Sequence, residues 1–307
     1  MDSALHIVIH FVLVLLLSPL LPGIINRTKA AFAGRTGPPL FQLYYDLLKL
    51  FQKGMVFSRT TTWVFRAGPV IGLMTTLVAA MLVPLGHHPA PVAFAGDMIL
   101  LTYLLALGRF FTATAALDTG SPFEGMGAAR EVTFSCLSEP ALFFGLIVLA
   151  KLSGSSSLSG MLSGSILADW GSAAGPIMLV AASWFIILLV ENCRIPFDDP
   201  NTHLELTMIH EVMVLDHSGP ALGMILYGAA VKLFVTGALV VGVAYPLKTG
   251  NTWLDWGLFL AMMAFLAILI GVVESTMARL RLVSIPKLMV SACLLSAFGV
   301  VFLIKVK

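Results

Sequence analysis

The sequence predicts an all-α integral membrane protein with about eight transmembrane helices. Hydrophobic residues make up 58% of the 307 residues and charged residues only 11%, and the mean hydropathy is +0.96. A soluble domain carries about a quarter charged residues, so this composition excludes a soluble globular protein. Residues 1–307 are therefore predicted to form a single transmembrane domain.

A transmembrane helix needs about 20 mostly apolar residues. Eight segments meet this requirement: 4–24, 67–85, 97–117, 132–151, 176–191, 221–244, 254–275 and 286–304. The runs are continuously apolar, not alternating, which favours helices over the strands of a β-barrel. Neither Lys nor Arg precedes the N-terminal run, so we expect it to be retained as the first span and not cleaved as a signal peptide.

Basic residues are concentrated on one side of the membrane. Of the 18 Lys and Arg residues, 12 fall in the odd-numbered loops and only 4 in the even-numbered loops and the C-terminal tail. The positive-inside rule then places the odd-numbered loops in the cytoplasm and both termini outside, in a multi-pass protein of the cell (inner) membrane. The cytoplasmic loops predicted to be structured are about 25–66, 118–131, 191–220 and 276–285.

Several ionisable residues interrupt the apolar spans, where they are costly and are functional candidates by default. Arg109, Glu139, Lys232 and Glu274 lie within spans, and Arg130–Glu131 opens the fourth span. A carboxyl group in this position either pairs with a cation or stays protonated. The first outcome is a structural ion pair, and the second suits a proton carrier; the sequence leaves both open.

The fifth loop is acidic on an otherwise basic side. It contains six acidic residues against the single Arg194. Its histidines, His203, His210 and His217, are seven residues apart, which is about 10.5 Å along a helix and too far for one metal ion to bind all three. The three cysteines form no CxxC pair, so no metal site and no cofactor are predicted for this chain. Proton handling or packing at an interface is favoured for the histidines.

The first loop contains a predicted amphipathic helix. In LFQLYYDLLKLFQK the residues Phe41, Tyr44, Tyr45, Leu48 and Phe51 recur at helical spacing, with polar residues between them. Such a helix lies at the membrane interface or against a partner protein.

Four segments resemble a known superfamily. RTGPPLFQLYYDLLKLF (35–51) resembles the quinone-site membrane subunit of respiratory complex I, and LDTGSPFEGMGAAREVTFSCLSEP (117–140) resembles formate hydrogenlyase and hydrogenase-4 membrane subunits. RIPFD (194–198) is similar to the Arg-x-Pro-Phe-Asp signature of the superfamily, and ESTMARLRL (274–282) is similar to the closing motif of its hydrogenase branch. The matches run through nearly the whole chain in order.

The resemblance implies a fold like that of complex I subunit 1, the quinone-site membrane subunit of NADH dehydrogenase. It also implies a noncatalytic membrane subunit of a group 4 membrane-bound [NiFe]-hydrogenase or formate-hydrogenlyase-like complex, which docks the cytoplasmic hydrogenase module and couples its redox reaction to ion translocation. The implied partners are hydrogenase-like small and large subunits, antiporter-like membrane subunits and lipid, with no nucleic acid. Iron–sulfur clusters and, where it is retained, a nickel–iron centre belong to those partners.

The candidate residues fall into two sets. The proton-transfer set is Arg130, Glu131, Glu139, Asp198, Asp199, His203, Glu205, His210, Glu211, Lys232 and Glu274. The docking set is Arg35, Asp46, Lys49, Arg194, Arg279 and Arg281.

Two alternatives remain open. The first is a true quinone-reducing complex I subunit; here only Glu205 is left of the Glu-x-Glu-x-Glu run that relatives carry after Pro-Phe-Asp, which weakens that interpretation. The second is a stand-alone secondary transporter. The chain has no internal repeat and no pair of interrupted helices in corresponding positions, which disfavours a transporter.

Overall fold

The computed structural model describes residues 3–162, 166–198, 208–245 and 249–305, and within these ranges the chain is helical with no β-strand. The helices are α1 Ser3–Leu17, α2 Leu20–Phe32, α3 Gln42–Phe51, α4 Trp63–Leu82, α5 Asp97–Asp118, α6 Pro122–Ser153, α7 Leu158–Leu162, α8 Ile166–Glu191, α9 Gly219–Ala244, α10 Thr252–Thr276 and α11 Ile285–Lys305. Short 3₁₀ turns lie at Glu211–Val214 and Leu282–Ser284.

Seven described helices are long and apolar enough to cross a membrane, and the bent pair α1–α2 makes an eighth span if it is counted as one. The predicted all-α membrane fold with about eight spans is therefore confirmed. Three boundaries differ clearly from the prediction. The first span, predicted as 4–24, continues as α2 to Phe32. Helix α6 begins at Pro122, so most of the predicted loop 118–131 is helical. Helix α8 begins at Ile166 and is kinked at Ala173, because Pro176 in the next turn has no N–H to donate.

Local capping residues fix where several spans begin and end. The carboxylate of Asp118, at the end of α5, accepts hydrogen bonds from the backbone N–H groups of Thr62 (2.6 Å) and Phe65 (3.3 Å) at the start of α4. Asn251 accepts from the N–H of Trp253 at the start of α10. Gly154 ends α6 in the left-handed conformation, with φ 66°. These contacts satisfy backbone groups that a helix terminus leaves without partners.

The first span is broken at Pro19, where α1 and α2 meet at 42°. Because proline lacks an N–H, the carbonyl of Leu15 loses its usual helical partner. The hydroxyl of Tyr227 in α9 donates to that carbonyl at 2.9 Å, and the hydroxyl of Tyr44 in α3 donates to the carbonyl of Leu16. In lipid no water could replace these donors, so the break is stabilised by two helices from elsewhere in the chain.

The bundle is organised around α9. In its most apolar stretch of 18 residues, 67% of the residues are buried, against 22% in the corresponding stretch of the last span. Helix α9 is therefore central and α11 peripheral. Helices α3, α4, α8 and α10 all contact α9. On the other side of the core, α6 approaches α8 so closely that a side chain on Gly145 would collide with Trp184. This close approach packs the interior of α6 directly against α8.

The loops gather at two ends of the bundle. We call one end the basic end because Arg35, Lys49 and Arg281 are exposed there. At this end the N–H of Leu280 donates to the carbonyl of Pro196, and the N–H of Val56 donates to the hydroxyl of Ser218. At the opposite end, Asp97 accepts from the N–H of Leu158 at 2.7 Å. The predicted amphipathic helix is present at the basic end as α3.

We expect Tyr227→Phe to lower the free energy of unfolding by about 1 kcal/mol, because it leaves the Leu15 carbonyl without a donor. Thermal midpoints of the purified protein in detergent would measure the loss. Tyr103→Phe, at a residue that is 66% exposed, is the matched control and should leave the midpoint unchanged. In a Pro19→Ala background the new N–H can reach Leu15, so the cost of Tyr227→Phe should shrink; an equal cost in both backgrounds would contradict the assignment.

Candidate functional site

A chain of ion pairs crosses the centre of the bundle. Glu191, the last residue of α8, accepts from Arg109 of α5 (Nη1 to Oε1, 3.3 Å) and from Lys232 of α9 (Nζ to Oε2, 2.9 Å). The hydroxyl of Ser138 in α6 adds a bond of 3.1 Å to Oε1. Only 7% of the Glu191 side chain is exposed. One carboxylate therefore joins four helices.

Arg109 and Lys232 lie well inside their own helices. Arg109 and Lys232 each stand about 18 Å from the end of their own helix at the opposite end of the bundle, counted at a rise of about 1.5 Å per residue. The hydrocarbon core of a bilayer is about 30 Å thick. Neither side chain is therefore long enough to reach the opposite end of the bundle along its own helix, and each pairs with a carboxylate instead.

The local sequence places Glu191 where it is. The φ of 51° at Cys193 turns the backbone sharply after the helix. The side chain of Asn192 donates to the carbonyl of Leu188 (2.8 Å) and to the hydroxyl of Thr236 (2.9 Å). A helix C-terminus repels a negative charge, and so the two cations also offset the dipole of α8.

Helix α6 contributes two more carboxylates. Glu139 pairs with Arg109 at 3.4 Å, and 42% of its side chain is exposed on the outside of the bundle. Glu131, two turns earlier, is buried, with 8% of the residue exposed, and the charges of Lys232 and Arg109 act on it. The chain of charges thus runs from the outer surface of α6 to the bundle interior.

A cavity of about 430 Å³ opens beside this chain. Its lining includes the charged residues Glu131, Glu191 and Lys232 and apolar residues of α2, α3, α4 and α9. Leu43 and Leu226 are examples of these apolar residues. The shape suits an amphipathic molecule with a polar head and an apolar tail.

A second ionic network lies at the basic end. Glu274 of α10 pairs with Lys29 of α2 at 2.8 Å and with Arg194 at 3.5 Å. Asp198 pairs with Arg279 at 2.7 Å. Since Arg194 and Asp198 follow Glu191 directly in the chain, the segment 191–198 connects the two networks.

The segment 208–218 packs onto the start of α6. Arg130 donates to the carbonyl of Met208 at 2.7 Å, and a side chain on Gly127 would collide with Val212. Asp198 accepts from the backbone N–H groups of Ile209 and His210 at 3.0 and 3.3 Å. These contacts fix His210 and Glu211 in the wall of the cavity.

The histidines of this segment are held neutral. Burial, with the nearby charge of Lys232, lowers the pKa of His210 to about 4 although Asp198 opposes the shift. Burial lowers the pKa of His217 to about 4, where its ring stacks on Phe65 with 4.0 Å between centroids. At neutral pH both rings are therefore uncharged.

The structure brings together only part of the predicted proton-transfer set. Glu131, Glu139 and Lys232 belong to the central chain, Asp198, His210 and Glu211 to the cavity wall, and Glu274 to the network at the basic end. Asp199, His203 and Glu205 lie outside the described residues. The predicted set did not include Glu191, which was counted with the fifth loop although it lies at the edge of an apolar run. It also did not include Arg109, which lies within an apolar run.

The predicted docking set is divided. Arg35, Lys49 and Arg281 are exposed at the basic end. Asp46 accepts a hydrogen bond from Gln42 at 2.9 Å. Arg194 and Arg279 are engaged in the ion pairs described above. Among the described residues, no group of three or more His, Cys, Asp or Glu is arranged to hold a metal ion.

Comparison with known proteins gives consistent matches over the full length. The chain matches the NADH dehydrogenase family over residues 5–305. It is 34% identical to formate hydrogenlyase subunit 4 of Escherichia coli strain K12, over 93% of this chain and 94% of that protein. It is 36% identical to hydrogenase-4 component C of the same strain, over 88% and 86%.

More distant matches extend the comparison. An NADH-quinone oxidoreductase subunit of Polaromonas naphthalenivorans strain CJ2 is 25% identical, over 83% of this chain and 75% of that protein. Among solved structures, a chain of the membrane-bound sulfane sulfur reductase, an archaeal respiratory membrane complex, superposes with a TM-score of 0.81. That match covers 97% of this chain and 98% of the other at 22% identity, which shows a shared fold.

We expect Glu191→Gln to destabilise the protein by about 3 kcal/mol, because removing one member of a buried ion pair strands its partners. Thermal unfolding in detergent would report the loss. Asp216→Asn, which neutralises an exposed acid, should change stability by less than about 0.5 kcal/mol. Adding Lys232→Met to Glu191→Gln should recover part of the loss; a double variant as unstable as the sum of the singles would contradict the pairing.

Proposed function

Because this chain belongs to the NADH dehydrogenase family, we propose that it is the membrane-anchor and proton-transducing subunit of a hydrogenase- or formate-hydrogenlyase-like complex. The resemblance seen in the sequence is confirmed by the full-length matches to formate hydrogenlyase subunit 4 and hydrogenase-4 component C. In this proposal the redox chemistry belongs to partner subunits, which carry the iron–sulfur clusters and any nickel–iron centre. This chain supplies the membrane base and the first step of ion movement.

The observation that carries the proposal is the chain of ion pairs Glu139–Arg109–Glu191–Lys232 inside the bundle. Two unit charges 3 Å apart interact by about 5 kcal/mol at an effective dielectric constant of about 20. A change of charge at one residue of the chain therefore alters which neighbour the next residue pairs with most strongly. Such coupled groups exchange protons as a set, not as single residues.

The number of charges in the cluster favours binding of a proton. Three carboxylates, Glu131, Glu139 and Glu191, face the two cations Arg109 and Lys232. With all five ionised the cluster carries one excess negative charge, which is costly in lipid. One bound proton makes the cluster neutral, and movement of Lys232 between Glu191 and Glu131 would decide where that proton is held.

The segment 191–198 supplies the route from a redox partner to the cluster. Glu191 ends α8, and Arg194 and Asp198 pair with α10 and with Arg279 within the next seven residues. A partner that consumes a proton or gains an electron at the basic end would act on these pairs first. Because the segment is short and its ends are both bound, displacement of one end moves the carboxylate at the other.

We place the basic end in the cytoplasm and both termini outside, as the excess of Lys and Arg predicts. The exposed Arg35, Lys49 and Arg281 are then available to hydrogenase-like small and large subunits. An antiporter-like membrane subunit would cover Glu139, since a carboxylate facing hydrocarbon costs about 3 kcal/mol. Lipid contacts the remaining apolar faces.

Glu139→Gln tests the coupling. We expect the complex to assemble and the redox reaction to continue, while ions translocated per turnover fall severalfold, because the cluster loses its excess charge. Inverted membrane vesicles with a pH-sensitive dye, assayed together with redox turnover, measure the ratio. Asp216→Asn is the matched control and should keep the parental ratio, whereas parental translocation by Glu139→Gln would remove Glu139 from the path.

The cavity supports a second candidate, a quinone-reducing subunit of the complex I type. Its combination of apolar and charged lining residues suits a quinone head with an isoprenoid tail, and a 25% identical relative is an NADH-quinone oxidoreductase subunit. Gly228 in the cavity wall lies 3.5 Å from Leu73, measured from an added Cβ. If quinone is the acceptor, Gly228→Leu should abolish quinone-dependent oxidation by the complex; redox turnover that neither needs quinone nor responds to this substitution would exclude the candidate.

A further inference from the structure

We propose that Asn192 is a positioning residue, whose hydrogen bond to Thr236 of α9 pins the end of α8 and makes it the pivot of the segment 191–198. A displacement at the basic end would then turn the segment about this point and change the direction of the Glu191 carboxylate, while the helix itself stays in place. This role rests on the proposed proton-transducing function, because it supplies the fixed point that the function needs.

The pin is a hydrogen bond with a defined direction. Nδ2 of Asn192 is 2.9 Å from Oγ1 of Thr236 and 2.8 Å from the carbonyl oxygen of Leu188 in its own helix. The hydroxyl of Thr236 donates its hydrogen to the carbonyl of Lys232 at 2.8 Å, so towards Asn192 it can only accept. Because both partners of the amide are acceptors, its nitrogen must face them and its orientation is fixed.

The pin lies next to the central ion pair. Asn192 follows Glu191 directly in the chain, and Thr236 is one helical turn after Lys232 in α9. The ion pair of Glu191 with Lys232, at 2.9 Å, and the bond of Asn192 therefore join α8 and α9 at neighbouring points. An amide and a hydroxyl do not titrate near neutral pH, so the uncharged link can stay in place while the ion pair rearranges.

The turn after Asn192 is a stiff connection to the basic end. The N–H of Cys193 donates to the carbonyl of Val190 at 3.1 Å, and the N–H of Arg194 donates to the carbonyl of Leu189 at 2.8 Å. These two bonds are the pattern of a Schellman motif, and the φ of 51° at Cys193 is the left-handed conformation that this motif requires. A displacement of Arg194 therefore carries the whole turn with it and is felt at Asn192.

The nitrogen of the Asn192 side chain carries its hold on the surrounding structure. Its Oδ1 is buried and has no hydrogen-bond partner among the residues that the structure describes. Removing the acceptor at Thr236 would therefore leave the amide with its bond to Leu188, which lies within α8 and cannot restrain α8 relative to α9.

Thr236→Val tests the pin in the assembled complex, because valine keeps the shape of threonine and removes the acceptor. Cys193, which is 6% exposed, reports release of the helix end. In a background with Cys136→Ser and Cys293→Ser it is the last of the three cysteines of this chain, and the rate at which N-ethylmaleimide labels the chain measures its exposure. We expect labelling to become about fivefold faster, which corresponds to about 1 kcal/mol, the worth of one hydrogen bond. Ions translocated per redox turnover should fall severalfold.

Three further variants complete the test. Thr236→Ser keeps the hydroxyl and should keep both measurements near the parental values. Thr102→Val is the matched control, because Thr102 and Thr236 are each 6% exposed and the hydroxyl of Thr102 donates to Ile99 and Met98 in its own helix; it should change neither measurement. Asn192→Ala removes the same bond from the other side. It should give both changes and keeps the test usable if Thr236→Val does not assemble.

Parental labelling in both Thr236→Val and Asn192→Ala would show that the end of α8 is not pinned there and would overturn the pivot. Equally fast labelling in Thr102→Val would overturn it too, since any lost hydroxyl would then have the same effect. Lys232→Met separates the pivot from the proposed function. If it abolishes translocation while Thr236→Val labels faster and still translocates fully, the pivot is wrong and the central cluster stands. If Lys232→Met retains translocation, the proposed function itself fails.

Discussion

The fold depends on one carboxylate that lies where a carboxylate is least favoured. Glu191 ends α8, so it meets the negative end of that helix dipole, and it does so inside the bundle with 7% of its side chain exposed. Only direct contact with cations makes this position tolerable. Arg109 and Lys232 provide that contact from α5 and α9. These contacts fix the relative depth of the three helices α5, α8 and α9.

The same carboxylate connects the interior of the bundle to the basic end. Beyond Glu191 the chain turns at Cys193, and Arg194 then pairs with Glu274, which also holds Lys29 of α2. The end of α8 is thus shared by an ionic network in the bundle and by one at its edge. A rigid helix end with ionic contacts on both sides has few independent positions, which is the property expected of an element that transmits a local change of charge.

Much of the fold was predictable because lipid imposes simple rules. Apolar runs located the spans, and the spacing of Tyr44, Tyr45 and Leu48 located α3. The break at Pro19 was not predicted, since 4–24 was taken as one span, and nothing in the local sequence pointed to Tyr227 as the donor that stabilises it. The site was predicted only in part, because the sequence does not show which distant side chains meet. Composition shows that charges lie within spans, whereas the pairing of Glu191 with Arg109 depends on how distant helices approach each other.

The central charges are not explained by stability. A buried ion pair is seldom more stabilising than apolar residues of similar volume, because desolvation consumes most of the Coulomb energy. The surrounding helices already pack closely, with glycine at Gly108 against Thr75 and at Gly145 against Trp184. Apolar residues at Arg109, Glu191 and Lys232 could therefore pack as stably, but they would lack the ionic contacts that set the relative depth of the three helices. The cluster has three acids and two bases, and one of the acids, Glu139, is partly exposed at the surface of the bundle. Such a cluster instead suits a group of residues that gains and loses a proton while the helices stay in place.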